Sequence, residues 1–247
     1  MSVTFQDVSF AYADGPRILD GFDLAVAPGE IVAVVGRSGA GKTTILKLVN
    51  RLLLPSSGAV TVEGRDTREW DGIALRRRTG YVFQDIGLFP HLTIGENVGL
   101  LPRLEGWPGT RSRARVTELL DMVGLPAAEY AGRAPHELSG GQRQRAGLAR
   151  ALALEPGVLL MDEPFGALDP ITRAEIRGAF ASLQARLGTS VILVTHDMGE
   201  AFSLGHRVAV LDAGQMVVHD RPEVVAASTD PRVRAFLDAL PPVPRTQ

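Results

Sequence analysis

The chain of 247 residues contains no cysteine, which excludes both disulfide bridges and thiolate metal sites. Long hydrophobic runs are also lacking, and no apolar segment approaches the ~20 residues that cross a bilayer. Residues 1–7 do not combine a basic region with an apolar core, so the sequence predicts no secretion signal. A formal net charge of −2 gives no electrostatic basis for binding nucleic acid. We therefore expect a soluble protein that reaches a membrane only through a partner.

What the sequence does contain is one glycine-rich segment between two apolar runs. The segment matches the phosphate-binding pattern G-x-x-x-x-G-K-[ST] at every fixed position. A β-type run at 30–35 precedes it and a helix-type run at 44–49 follows it. Strand, glycine loop and helix are the context that the motif requires, so the segment predicts a phosphate-binding loop. Its candidate binding residues are Gly36, Arg37, Ser38, Gly39, Ala40, Gly41, Lys42, Thr43 and Thr44.

The residue types of this loop suit a dense anion such as a triphosphate. Glycines let the backbone turn its N–H groups toward phosphate oxygens, and the helix that starts near Lys42 adds the positive end of its dipole. Lys42 supplies a cation for the outer phosphates, and the Thr43 hydroxyl is placed for Mg²⁺. The alternative interpretation is a glycine-rich turn that binds nothing.

Hydrophobic patterning predicts an α/β fold that opens with antiparallel β structure and continues into a parallel core. A turn at 14–16 joins the first two strands, and Pro28 and Gly29 form a hairpin-type turn into the strand before the glycine loop. In a P-loop protein the apolar strand that ends in Asp162 would lie beside that strand. The predicted strands span 3–10, 18–26, 30–35, 58–62, 81–83, 158–161, 191–194, 208–211 and 215–219.

Between residues 93 and 153 the pattern is mostly helical, which predicts a helical subdomain inserted into the core. We expect one domain, 1–247, with an α/β core at 1–90 and 156–220, a helical subdomain at 91–155, and C-terminal helices and tail at 221–247. The predicted helix breaks are Pro102, Pro108, Pro126 and Pro135. The predicted helices span 71–77, 113–123, 142–154, 170–187 and two short segments between 222 and 240, followed by a frayed tail at 241–244.

Two carboxylates end the apolar strand at 158–161. Asp162 is placed to hold a Mg²⁺ ion that bridges phosphates, and Glu163 is placed to orient or deprotonate an attacking water. The alternative is that these two acidic residues cap the next helix. The glycine loop upstream favours the catalytic interpretation.

The sequence also contains a glycine pair at a predicted helix start. Ser139 is a suitable N-cap, and the residues after it leave N–H groups exposed at the positive end of the helix. This arrangement predicts a second anion site, and the alternative is an ordinary capped helix. The residues of the site are Ser139, Gly140, Gly141 and Gln142.

Together with Gln84, residues 167–169 and His196, these segments resemble the ATP-binding subunit of ABC transporters. All the motifs occur in the family's order, and the resemblance covers nearly the whole chain. It implies ATP and Mg²⁺ as cofactors and hydrolysis of ATP as the activity. Lys42, Glu163, His196 and Gln84 would then be the catalytic residues.

The resemblance implies a role for each matching residue. Tyr12 would stack on the adenine, and Gln84 would sense Mg²⁺ and the attacking water. Glu163 would act as general base, and His196 would contact the γ-phosphate. Asp169 would reach across to a second subunit. For Tyr12 and His196 the alternatives are a strand-end aromatic and a structural histidine.

The resemblance also implies partners. A second copy of the chain would cover the triphosphate with its residues 139–142, giving an ATP-sandwich homodimer. Residues 84–101 would contact transmembrane permease subunits, and an extracellular or periplasmic solute-binding protein would act through that permease. The protein would lie peripherally on the cytoplasmic face of the inner membrane. The resemblance implies no nucleic acid partner.

The stretch 87–98 is similar to the ATPases of bacterial importers. The subgroup that imports quaternary amines, such as glycine betaine, choline and carnitine, is most resembled by Ile86 and Gly87 before 88–91, by Leu101 and Pro102 with Trp107, and by 169–173. Many members of that subgroup carry a C-terminal regulatory domain. This chain ends at Gln247 without one, which argues against sensing of ionic strength by this subunit and leaves such regulation open. The alternatives are an importer of an amino acid, polyamine or sulfonate, an exporter, a soluble ABC ATPase of DNA repair or translation, and a regulatory module that does not hydrolyse ATP.

Overall fold

The computed structural model describes residues 1–13, 15–166 and 168–239. Asp14 of the predicted turn, Ala167 of the motif at 167–169, Leu240 and the predicted tail at 241–244 lie outside the described residues. The strands are β1 (Val3–Ala11), β2 (Arg17–Val26), β3 (Ile31–Gly36), β4 (Ser57–Val62), β5 (Arg65–Asp66), β6 (Thr79–Val82), β7 (Val158–Asp162), β8 (Ser190–Thr195), β9 (Arg207–Asp212) and β10 (Gln215–Asp220). The helices are α1 (Lys42–Val49), α2 (Gly72–Arg78), α3 (Ile94–Leu104), α4 (Gly109–Met122), α5 (Ala127–Tyr130), α6 (Gly140–Ala151), α7 (Pro170–Leu187), α8 (Met198–Leu204), α9 (Pro222–Ala226) and α10 (Pro231–Leu237).

The described strands form two sheets. The smaller sheet is antiparallel with the order β2-β1-β4-β5, and the larger has the order β10-β9-β3-β8-β7-β6. In the larger sheet the strands from β9 through β6 pair in parallel, and β10 pairs antiparallel to β9 at one edge. This arrangement confirms the predicted α/β fold, with antiparallel structure first and a parallel core after it.

Strand β3 lies at the centre of the core. Its side chains point alternately to the two faces of the sheet, as in any strand. Ile31, Ala33 and Val35 join the apolar cluster formed with α3, α4, α6, α7 and α8. Val32 and Val34 join a second cluster, formed with β1, β2, β4 and α1. Burial on both faces explains why this strand is an unbroken apolar run in the sequence.

The prediction of a hairpin at Pro28 and Gly29 is wrong. Strand β2 pairs with β1, whereas β3 pairs with β8 and β9, so the turn carries the chain from one sheet to the other. A strand with a parallel neighbour on each side has no free edge for a hairpin partner. The Gly29 backbone N–H donates instead to Ser190 Oγ at 2.9 Å, which ties the turn to the start of β8.

The expectation that the strand ending in Asp162 lies beside the glycine-loop strand is also wrong. Strand β8 lies between β3 and β7. Val194 of β8 is in register with Val34 on one side and with Asp162 on the other. Sequence patterning identifies buried strands but does not give their order, because all three carry similar apolar runs.

Several predicted helix limits change as well. Pro102 does not break α3 but lies inside it, two residues before the helix ends at Leu104. A proline so near the end removes only one backbone hydrogen bond of the last turn. Helix α4 begins at Gly109 rather than at 113, and α6 spans 140–151 rather than 142–154. Strand β5 and helices α5 and α8 were not predicted.

Candidate functional site

The glycine loop follows β3 and leads into α1, as the motif requires. Gly41 is the N-cap of α1 and has φ +104°, and Gly39 has φ +81°, two conformations that strongly favour glycine. A Cβ on Gly36 would lie 2.7 Å from the Leu211 carbonyl oxygen, so the loop base also requires glycine. The loop therefore has the backbone shape that its sequence predicts.

Lys42 lies inside the loop and is 7% exposed. Its Nζ donates to the carbonyl oxygens of Gly36 at 2.7 Å and Arg37 at 3.1 Å. Burial lowers the pKa of Lys42, and the nearby carboxylates of Glu163 and Asp162 act in the opposite direction. A partly desolvated ammonium held by neutral carbonyls would interact strongly with an incoming anion.

Asp162 at the end of β7 contacts both α1 and β6. Thr43 Oγ1 donates to Asp162 Oδ1 at 3.3 Å, and the Tyr81 hydroxyl donates to Oδ2 at 3.4 Å. Burial raises the pKa of Asp162, and burial likewise raises the pKa of Tyr81. Sequence reasoning missed Tyr81, whose only signal was its place in a strand just before Gln84.

The oxygens of Thr43 and Asp162 fit a Mg²⁺ site that the nucleotide completes. Mg²⁺ is commonly bound through one or two protein oxygens together with phosphates and waters, rather than by an all-protein cage. The described residues include no cluster of three or more His, Cys, Asp or Glu side chains that could hold a metal ion.

Glu163 and His196 form the second polar pair of the site. His196 Nδ1 lies 3.0 Å from Glu163 Oε2, and the His196 side chain is 63% exposed. Glu163 has φ +44°, which is unusual for a residue with a side chain, and its backbone N–H donates to the Val194 carbonyl at 2.9 Å. Strained backbone of this kind clusters at functional sites. The end of β7 thus presents Glu163 and the end of β8 presents His196.

A cavity of about 530 Å³ collects most of the predicted residues. Its lining includes Ile18, which sequence reasoning missed because it is one apolar residue of β2 among several. Arg37 is an exposed residue of the loop, and Gly36 and Ala40 are buried behind it. The full lining is Tyr12, Ile18, Ser38, Gly39, Gly41, Lys42, Thr43, Thr44, Gln84, Asp162, Glu163 and His196.

Two larger cavities lie elsewhere, one of about 650 Å³ beside α2 and one of about 580 Å³ between α3 and α4. Neither includes the glycine loop or the pair of carboxylates that ends β7. We therefore place the candidate site at the cavity beside the glycine loop, where the titratable groups converge.

Tyr12 and Gln84 also line this cavity. Tyr12 follows β1, is 49% exposed, and packs edge-on against Phe10 with ring centroids 5.0 Å apart. Its half-exposed side chain borders the cavity. Gln84 is exposed just after β6, at the start of the loop that leads to α3.

The residues of the predicted second anion site are not part of this cavity. Ser139 Oγ accepts from the Gln142 backbone N–H at 3.2 Å, and Gln142 Oε1 accepts from the Ser139 N–H at 2.9 Å, which caps α6 reciprocally. Gly140 and Gly141 form the first turn of that helix. Asp169 caps α7 in a similar way, and a hydrogen bond from Thr172 lowers the pKa of Asp169.

Arg150, at the last turn of α6, is a further residue that sequence reasoning missed. Its guanidinium donates to the carbonyl oxygens of Ile86 and Gly87, the former at 2.7 Å. Ile86 has φ +38° and Gly87 has φ +61°, so Arg150 stabilises an unusual backbone conformation. The helix that starts with the Ser139 cap is thereby joined to the loop that starts with Gln84.

Comparisons with known proteins agree on the fold and on the family. The family described as "ABC transporter" matches residues 19–166. A solved structure of cbiO1 from Clostridium perfringens, described as part of the ABC transporter complex cbiONQ, has a TM-score of 0.85 at 29% identity and covers 92% of this chain and 91% of that one. A dimeric ATP-binding cassette in a post-hydrolysis state bound to ADP and Pi has a TM-score of 0.79 at 34% identity, covering 89% and 98%.

Curated relatives carry related descriptions. The glycine betaine/carnitine/choline transport ATP-binding protein OpuCA of Bacillus subtilis is 48% identical over 220 residues, covering 89% of this chain and 58% of the relative. The osmoprotectant import ATP-binding protein OsmV of Salmonella typhimurium is 48% identical over 211 residues, covering 85% and 55%. The methionine import ATP-binding protein MetN of Caulobacter vibrioides is 46% identical over 228 residues, covering 90% and 68%.

The fold and the glycine loop define a P-loop α/β protein with the architecture of an ATP-binding cassette. The chain belongs to the ABC transporter family. It spans little more than half the length of the first two curated relatives named above. Across the described residues, none of the helices has both the length and the apolar character needed to cross a membrane.

Proposed function

We propose that the chain is the ATP-hydrolysing subunit of an ABC import complex. The observation that carries this proposal is the convergence of a phosphate-binding loop, a candidate Mg²⁺ site and a carboxylate–imidazole pair on one cavity. A site that only bound nucleotide would not require Glu163 beside His196, 3.0 Å apart at the strand ends. The names of the relatives support the same class of activity.

The arrangement suggests how hydrolysis proceeds. The loop N–H groups bind the phosphates, and Lys42 exchanges its carbonyl partners for phosphate oxygens. Thr43 and Asp162 would hold Mg²⁺, which neutralises phosphate charge when bound. Glu163 orients the attacking water and accepts its proton, while His196 holds the Glu163 carboxylate and contacts the γ-phosphate.

A second copy of the chain would complete each site. In one copy the capped start of α6 is outside the cavity, and its N–H groups at 140 and 141 have the positive potential of a helix N-terminus. Bound to the other side of the triphosphate, they would exclude water and fix the γ-phosphate between two sets of donors. Asp169, next to that face, would lie close to the second copy.

The substitution Glu163→Gln tests both hydrolysis and dimer closure. It removes the proton acceptor but keeps the shape of the side chain, so we expect a fall in kcat of about 100-fold or more, with ATP still bound. The variant should accumulate as a dimer with saturating ATP and Mg²⁺, measured by light scattering. The exposed Glu223→Gln on α9 is the matched control and should behave like the native chain.

Two results would contradict the proposal. If the native chain releases no phosphate from Mg·ATP, it is not an ATPase. If the Glu163→Gln variant hydrolyses ATP at the native rate, Glu163 is not the general base. A variant that binds ATP but stays monomeric would contradict the sandwich dimer alone.

We further propose that the transported solute is a quaternary amine, that residues 84–101 contact separate permease subunits, and that a solute-binding protein delivers the solute to that permease. The solute class is supported by the description of OpuCA, which names glycine betaine, carnitine and choline, and the description of OsmV names osmoprotectants. The protein would then lie on the cytoplasmic face of the membrane. Methionine is the second candidate solute, because a methionine import relative reaches 46% identity.

A further inference from the structure

Behind the Glu163–His196 pair lies a buried carboxylate that the proposed mechanism does not use. Glu200, on α8, is 3% exposed. Its Oε2 forms a short hydrogen bond with the Thr195 hydroxyl at the end of β8. Its other oxygen, Oε1, is buried and has no hydrogen-bond partner among the residues that the structure describes. Buried polar atoms are nearly always paired, so this oxygen indicates an interaction beyond those of the protein atoms.

Hydrogen bonds close a ring around the backbone of His196. Thr195 Oγ1 bonds to the Glu200 carboxylate and accepts from the Asp197 N–H at 3.0 Å. The Glu200 N–H donates to Asp197 Oδ1, also at 3.0 Å. His196 lies between Thr195 and Asp197 in the chain, so Glu200 fixes both residues that flank it. The turn that carries the exposed His196 ring is therefore held in part by the buried side chain of Glu200.

Arg173 of α7 approaches the same ring from the other side. Its Nη1 lies 3.5 Å from Asp197 Oδ2, and its Nη2 donates to the Leu168 carbonyl at 3.0 Å. Its Nε, like Glu200 Oε1, is buried without a partner among the described residues. One unpaired donor and one unpaired acceptor thus occur in the same small region.

A small cavity of about 30 Å³ borders the residues of these groups and the catalytic pair. A buried water needs roughly 10–15 Å³ and two to four polar partners, so this cavity is large enough for one water. Its lining includes both residues that carry an unpaired group and the catalytic pair: Glu163, Phe165, Gly166, Arg173, Thr195, His196, Asp197 and Glu200.

We propose that Glu200 is a positioning residue for the Glu163–His196 pair, and that one water bound by Glu200 Oε1 and Arg173 Nε fills the cavity behind it. Glu200 does not touch the substrate in this proposal. It holds the turn after β8, and the water joins that turn to α7. The effect on catalysis rests on the proposed ATPase function, whereas the water and the orientation of His196 do not.

The first test compares variants of Glu200 in the purified full chain. Glu200→Met keeps the length of the side chain but removes both oxygens, and we expect kcat for ATP to fall by roughly 10- to 100-fold with KM nearly unchanged. Glu200→Gln retains the bond to Thr195 and a polar atom for the water, and should recover most of the activity. Ser203→Ala, on the same helix, removes only a hydrogen bond to the Glu200 carbonyl and is the control.

The second test needs no activity. In ¹⁵N NMR spectra, the imidazole signals of His196 should move in Glu200→Met and stay in place in Ser203→Ala. A high-resolution crystal structure of the native chain should show one water in the cavity. If Glu200→Met does not fold, Arg173→Lys removes Nε while keeping a cation near Asp197, and should lose the water and lower kcat by a smaller factor.

A folded Glu200→Met variant with native kcat and unmoved His196 signals would overturn the positioning role. A cavity without water in the crystal structure, or unchanged water and kcat in Arg173→Lys, would overturn the second part of the proposal. A native chain without ATPase activity would contradict the proposed function, and the NMR and crystallographic results would still decide the role of Glu200.

Discussion

At the scale of single residues, the site contains side chains whose pKa values are shifted by burial. Lys42 and Asp162 are both nearly buried, and burial moves their pKa values in opposite directions, each toward the neutral form. Keeping such buried groups charged costs free energy when no ligand is bound. An anionic ligand beside Lys42 and a cation beside Asp162 would lower that cost. This is the usual physical pattern at sites that bind and transform anions.

The buried carboxyl group of Glu200 allows a direct test of the free energy that burial of a charged group costs. Burial, with a smaller contribution from Asp197, raises the pKa of Glu200 to about 7, while Thr195, Arg177 and Arg173 act to lower it. Between its ordinary pKa of 4.5 and about 7, the folded chain therefore binds a proton that the unfolded chain does not. Glu200 therefore contributes to the free energy of unfolding in full below pH 4.5, and this contribution is lost as the pH rises through about 7.

We expect the uncharged Glu200→Gln variant to lack this dependence. Relative to the native chain, its free energy of unfolding should gain up to roughly 3 kcal/mol between pH 5 and pH 8. Urea unfolding at the two pH values measures the difference, and other titrating groups cancel because both proteins carry them. An identical difference at pH 5 and pH 8 would contradict the pKa shift.

At the scale of secondary structure elements, helix ends were predicted best where a cap residue marks them. Helix α7 has the predicted limits because Pro170 and Gly188 mark its two ends. Helix α6 was predicted to start two residues late, since glycines were taken as part of the cap rather than of the first turn. Helix α8, only seven residues long, is too short to show periodicity, and sequence reasoning missed it.

Two glycines of α7 make a matched pair of substitutions. Gly188 has φ +63° at the C-cap, and Gly178 lies within the helix, and an added Cβ would meet nothing within 4 Å at either position. Gly188→Ala should cost about 1 kcal/mol because of the left-handed backbone, whereas Gly178→Ala should stabilise the chain by about 0.5–1 kcal/mol. Urea midpoints measure both changes. Equal shifts of the same sign would show that backbone conformation does not control these positions.

At the scale of the whole molecule, the fold and the loop were predictable, but the order of strands was not. Local motifs identified the loop before α1 and the carboxylates after β7. Sheet order depends on long-range packing among β3, β7 and β8, whose apolar sequences are similar. The small cavity behind His196 could not have been predicted, because it joins Arg173 and Glu200 from two different helices.

The identity of the proposed solute is tested with the complete transporter in cells. Deletion of the gene in its native host should abolish uptake of radiolabelled glycine betaine, choline or carnitine, and native protein should restore it while Glu163→Gln should not. Uptake of radiolabelled methionine serves as the comparison. Loss of methionine uptake with quaternary amine uptake unchanged would favour the second candidate.

The position of β8 has a mechanical consequence. Neighbouring strands are about 4.8 Å apart, so the ends of β3 and β7 are separated by roughly twice that distance. Thr43 and Asp162 nevertheless meet, because α1 packs across β8 onto β7. Strands in a sheet are rotated against one another, so a small change in that rotation would open or close the gap between the two oxygens. The twist of the central sheet thus sets the separation of the two oxygens that would hold Mg²⁺ in the proposed site.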